Sequence, residues 1–145
     1  MKQISLKIKK GRKEDYYLNV LTIAAMQKGI SQSLPNLETL SKFMALPKEN
    51  YYLPFNVKAR KVVAASYPYK FSSALMTTRL KRLEEAGYIT RDEDNFQDFA
   101  PWVRQIRDSA SFTLNVSYDT TLDNEDGRTS QSTTQSSGEG GDVAI

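Results

Sequence analysis

Between Lys48 and Arg82 the chain sets eight basic side chains (Lys48, Lys58, Arg60, Lys61, Lys70, Arg79, Lys81 and Arg82) against a single acid, Glu49. Cations at this density suit a polyanion, because each one that neutralises a phosphate releases a condensed counterion. Among them stand small or hydroxylated residues, Ser72, Ser73, Ala74, Thr77 and Thr78. Threonine can meet a base edge or a thymine methyl, while lysine and arginine reach phosphate or guanine. Other chemistries lack their reagents. The chain has no cysteine and no histidine, which removes thiolate metal sites, cysteine nucleophiles and the commonest general base. Ser72 and Ser73 have no activating pattern nearby, and Gly138, Gly140 and Gly141 form no phosphate loop. An enzyme is not expected, and neither is a cofactor. Asp92, Glu93, Asp94 and Asp98 lack the glycine and distal glutamate of a calcium loop. They read as a turn, with no metal expected.

The elements that must carry these groups follow from periodicity. Ile4, Leu6 and Ile8 alternate with Ser5, Lys7 and Lys9, the pattern of a half-buried strand. Residues 1–13 therefore read as a basic N-terminal strand or arm bearing Lys7, Lys9, Lys10, Arg12 and Lys13. Glu14 and Asp15 open a helix with an acidic first turn; its apolar face is Tyr17, Val20, Leu21, Ala24 and Ala25, and Gly29 closes it. A second helix starts near Pro35 or Asn36, turns Leu37, Leu40 and Met44 one way, and stops before Pro47. The segment 48–55 reads as a loop packed on the core. Asn56 is a good cap for a third helix in which Val57, Lys61 and Ala64 share one side, and Tyr67-Pro68 ends it. Ser72 caps a fourth helix, over 72–86. Met76, Leu80 and Leu83 fall at i, i+4 and i+7 on it, a stripe aimed inward. Gly87 terminates it, and Tyr88 to Arg91 leaves as a strand.

Downstream, Phe96, Phe99, Val103 and Ile106 hint at a helical face that Pro101 interrupts. Phe112, Leu114, Val116 and Tyr118 alternate with Thr113, Asn115 and Ser117 in the clearest strand of the chain. From 119 to 145 the composition is Ser, Thr, Gln, Gly and acids, which predicts a disordered tail. Charge divides at the same place. Residues 1–118 hold nineteen Lys/Arg and eleven Asp/Glu, +8, while 119–145 hold one Arg and six acids, −5, giving the net +3. No apolar run approaches the roughly 20 residues of a membrane span, and charges interrupt the apolar residues at the N-terminus. An intracellular, cytoplasmic protein with no membrane partner is expected.

The run Ser72 to Asp92, with Ser72, Leu80, Leu83, Glu84, Gly87, Tyr88, Ile89, Arg91 and Asp92 at the matching positions, resembles the recognition helix and first wing strand of winged helix-turn-helix proteins. The likeness is nearest to the multidrug-resistance-regulator type and to small regulators of phages and mobile elements. It covers about a fifth of the chain strongly. It implies an α+β, mostly helical fold: a winged-helix domain over 1–118, with a helix-turn-helix at 57–89 and an antiparallel β-wing over 88–118. Twenty residues (92–111) separate Arg91 from Phe112, so an enlarged wing loop is expected, holding an extra helix with Arg104 and Arg107 or a dimer element.

The function so implied is a double-stranded DNA-binding protein, a small transcriptional regulator that inserts helix 72–86 in the major groove. Ser73, Ala74, Thr77, Thr78 and Lys81 would meet bases. Lys58, Arg60, Lys61, Lys70, Arg82 and Arg91 would hold the backbone, with the N-terminal arm on flanking phosphate. A second reading is a virion or replisome adaptor with a winged-helix core used for protein contacts, through the tail or the 92–110 insertion. A third is single-strand binding by stacking on Tyr67, Tyr69 and Phe71, although tyrosines beside prolines more often seal a loop. A homodimer is compatible with each.

Overall fold

A computed structural model describes residues 2–118, 132–136 and 142–143, with side chains described through residue 115. In chain order the elements are β1 (Lys2–Lys9), α1 (Lys13–Lys28), α2 (Leu34–Met44), α3 (Val57–Ala65), α4 (Ser73–Glu85), β2 (Ile89–Arg91), β3 (Gln97–Phe99), α5 (Pro101–Asp108), β4 (Ser111–Tyr118), β5 (Ser132–Ser136) and β6 (Asp142–Val143). The fold is α+β, with five helices and two small sheets among the described residues. The chain divides into two compact units, 11–108 and 1–10 together with the chain from 109 onward.

The unit 11–108 is a helical body with a hairpin. α1 buries Tyr17, Val20, Leu21, Ala24 and Ala25 as its pattern predicts, and Tyr16 beside them. It ends at Gly29, whose φ of 69° is left-handed and whose N–H donates back into the last turn. α2 packs against α1 and α4, burying Leu37, Leu40, Phe43 and Met44. The Asn56 side chain accepts from the Ala59 N–H at 2.8 Å to start α3, and the Ser72 hydroxyl accepts from the Leu75 N–H at 3.1 Å to start α4. Met76, Leu80 and Leu83 are buried, as their spacing requires. Gly87, at φ 92°, lets the Tyr88 N–H return to the Leu83 carbonyl at 2.9 Å, a glycine-dependent helix stop. On α3 the inward residues are Ala59 and Val63. Val57, Lys61 and Ala64 do share one side, which with Phe71, Met76 and Thr77 lines an open groove of about 320 Å³ beside the start of α4.

The strand pairing after α4 differs from the expectation. The second strand is β3, not Phe112–Tyr118: Ile89 pairs with Phe99, Thr90 with Asp98 and Arg91 with Gln97. The hairpin loop is therefore only 92–96, and the expected enlarged loop between the two strands is absent from this hairpin. One aspartate makes the short turn possible. The Asp92 carboxylate accepts the N–H groups of Asp94 and Phe96, both at 2.9 Å, and Asn95 takes the left-handed φ of 67° that asparagine tolerates. Pro101 starts α5 rather than interrupting it, because a first helical residue needs no N–H donor. The extra helix with Arg104 and Arg107 is α5. It buries Val103 and Ile106, and the Tyr17 hydroxyl donates to the Arg107 carbonyl at 3.0 Å.

In the other unit β4 is the centre of a sheet. β1 lies antiparallel to it, with Ile4 opposite Val116, Leu6 opposite Leu114 and Ile8 opposite Phe112. The N-terminal segment is thus a paired strand over 2–9, not a free arm, since its alternation matches that of β4 residue for residue. On the far edge of β4, β5 pairs antiparallel and β6 parallel. These two strands belong to the stretch 119–145 expected to lack regular structure; the remainder of that stretch lies outside the described residues.

Candidate nucleic-acid interface

With its apolar stripe turned inward, α4 leaves Ser73, Ala74, Thr77, Thr78, Lys81 and Arg82 on the exposed side. Each of the five residues expected to read bases therefore stands outside the core. The first acid on that side is Glu85, at the helix end. Thr78 also back-bonds to the Ala74 carbonyl at 3.0 Å, which leaves its methyl and an oxygen lone pair for a ligand. Lys58 and Lys61 on α3 and Lys70 in the turn before α4 are exposed as well. Lys58 sits over the Tyr51 ring, 5.5 Å from its centre, a contact that orients the stem without discharging the ammonium.

Two of the expected backbone-binding arginines, half-buried Arg60 and exposed Arg91, hydrogen-bond to other parts of the protein. Arg60 donates through Nε to the Phe55 carbonyl and through a terminal nitrogen to Gln97 Oε1, both at 2.8 Å. Gln97 Nε2 in turn donates to Glu84 Oε1 at 2.8 Å. The other oxygen of Glu84 takes Arg91 Nε at 3.1 Å, and Arg91 also donates to the Asn95 carbonyl at 2.9 Å. The result is one polar chain from α3 through β3 to α4 and the hairpin loop. It holds the Glu84 carboxyl below its ordinary range, chiefly through the Gln97 hydrogen bond, with Arg91 reinforcing it against an opposing effect of burial. Arg60 and Arg91 thus tie the hairpin to α3 and α4. Sequence reasoning could see the basic residues but had no signal for Gln97 as their link.

Arg79 is similarly turned inward. It donates to Thr39 Oγ1 at 3.0 Å and lies 4.9 Å from the centre of the Phe71 ring. Thr39 meets the Tyr67 hydroxyl at 2.7 Å, and burial raises the Tyr67 pKa despite that bond. Tyr67 stacks on Phe71 at 4.4 Å and 14°, and both rings are buried. Of the aromatic cluster considered for stacking on single strands, Tyr69 alone keeps an exposed ring. The remaining basic positions lie elsewhere. Lys7 and Lys9 are on β1, Lys10 follows it, and Lys13 opens α1; Arg12 pairs with Asp15 at 3.6 Å.

The hairpin tip is acidic. Asp92, Glu93 and Asp94 are exposed there beside Phe96, which is 51% exposed, and phosphate would be repelled. Within the unit 11–108, positive charge gathers on α3, the following turn and α4, and negative charge at the tip of the β2–β3 hairpin. No family model, no curated protein and no solved structure matches this chain.

Proposed function

We propose that this protein binds double-stranded DNA through α4, as a small sequence-reading regulator of the winged-helix kind. The observation that carries the reading is the exposed side of α4. Small and hydroxylated residues occupy its N-terminal half, Lys81 and Arg82 follow, and Lys58, Lys61 and Lys70 flank it. Small side chains permit close approach to a groove floor, and flanking lysines supply phosphate contacts that fix register. Arg60 and Arg91 combine hydrogen bonds within the protein with access to the surface beside α4. Randomised duplex captured at two salt concentrations and sequenced is the test. Wild type enriches a motif; Thr78→Ala and Lys81→Ala change the preferred bases. Lys58→Ala weakens all sequences alike and lowers the slope of log affinity against log salt by about one. Enrichment of no motif, with all variants binding as wild type does, overturns the reading.

A second reading, an assembly adaptor built on the same core, is favoured by the wing. Val57, 67% exposed, and Phe96 line one shallow depression next to the acidic tip, together with Arg60 and Arg91, and exposed apolar surface of this kind suits a protein partner. Gel filtration with duplex DNA separates the two, because an adaptor elutes unchanged.

A further inference from the structure

We infer that the outer edge of β1 is a self-association surface, where two copies of this chain pair antiparallel about Leu6. β1 runs for eight residues and, among the described residues, pairs on one side only, with β4. A long edge strand is a template for another strand unless it is blunted. Here the blunting is incomplete: Ile4 and Leu6 are 46% and 49% exposed although they lie on the apolar face of the sheet. The lysines decide which partner fits.

In the antiparallel register that centres on Leu6, Leu6 faces Leu6 and Ile4 faces Ile8 of the second copy. Ser5 then faces Lys7 and Gln3 faces Lys9, and the one lysine pair, Lys2 with Lys10, falls at the strand's end, where Lys10 lies just beyond β1. Moving the register by one residue places Lys2 opposite Lys9 and Ile4 opposite Lys7, mixing apolar and charged residues on one face. Centring on Lys7 opposes two ammonium groups directly, which is unfavourable. Centring on Ser5 puts Lys2 against Ile8. The strand is thus complementary to itself in one register, and the pairing it makes is isologous, closing at two copies.

The chain has no cysteine, so single thiols report the register in the full-length protein. Directly opposed side chains have Cβ atoms about 5 Å apart. The Leu6→Cys variant should therefore form a disulfide-linked dimer on mild oxidation. Ile4→Cys and Ile8→Cys should not, since their copies would lie roughly 13 Å apart along the strands. Light scattering of wild type at micromolar concentration should give twice the 16.4 kDa chain mass, and Leu6→Lys should give a monomer with unchanged helical circular dichroism. A monomeric wild type overturns the inference, as does cross-linking strongest at 4 or 8. No nucleic acid enters either measurement, so the outcome is independent of the DNA reading.

Discussion

Glu84 shows how one side chain decides what neighbouring charges are for. By composition, Arg60, Arg91 and Glu84 are three surface charges; in the fold they and Gln97 form a single polar chain between α3, α4 and the hairpin. The Glu84 carboxyl is held below its ordinary value of 4.5. A group depressed in this way adds stability above that pH, and the contribution is lost as pH falls through the lower folded value. The urea midpoint of wild type should thus drop as pH is lowered from 4.5 through the lower folded value. Glu84→Gln should be less stable at neutral pH and show a shallower drop. Equal pH profiles for the two proteins would remove Glu84 from the network. Arg79 teaches the same lesson at Thr39 and Phe71: partners forty and eight residues away, invisible to local spacing, turn a cation inward.

At the scale of elements, local chemistry sets the ends of α4. The Ser72 cap satisfies an orphan N–H of the first turn, and Ser72→Ala should cost about 1 kcal/mol in equilibrium unfolding. At the other end Gly87 holds a positive φ with nothing within 4 Å of a would-be Cβ. Gly87→Ala should therefore cost roughly 1–2 kcal/mol from backbone strain alone, with no clash to relieve. Both ends were legible from residue type and position, as were the inward stripe of α4 and the Asn56 cap. The wing was not. Phe112 to Tyr118 has far better alternation than Gln97–Phe99, so periodicity selected the wrong second strand. Three residues are too few to show a period, and what pairs them is the Asp92 turn.

Across the unit 11–108, charge is sorted by surface. The exposed side of α4 and its flanks are basic, while the hairpin tip is acidic. If duplex DNA is the ligand, affinity should fall steeply with salt, by about three orders of magnitude between 50 and 200 mM for some six phosphate contacts. Fluorescence anisotropy of labelled duplex gives that slope. Poly-dT should bind no tighter than duplex, because Tyr67 and Phe71 are already stacked on one another inside the protein. Tighter binding of poly-dT would favour the single-strand reading.

The residues alone determined the elements whose signals are local: caps at Asn56 and Ser72, stops at Gly29 and Gly87, the faces of α1 and α4, and the basic character of the segment 48–82. Those features arise within a few residues of one another, where spacing and side-chain type carry the whole effect. Tertiary structure alone decided which strand meets which, that the N-terminal segment joins β4, and that Arg60, Arg79 and Arg91 brace the fold. The reason is that a cation's role depends on which acceptors approach within about 3 Å, and chain segments far apart in sequence supply them.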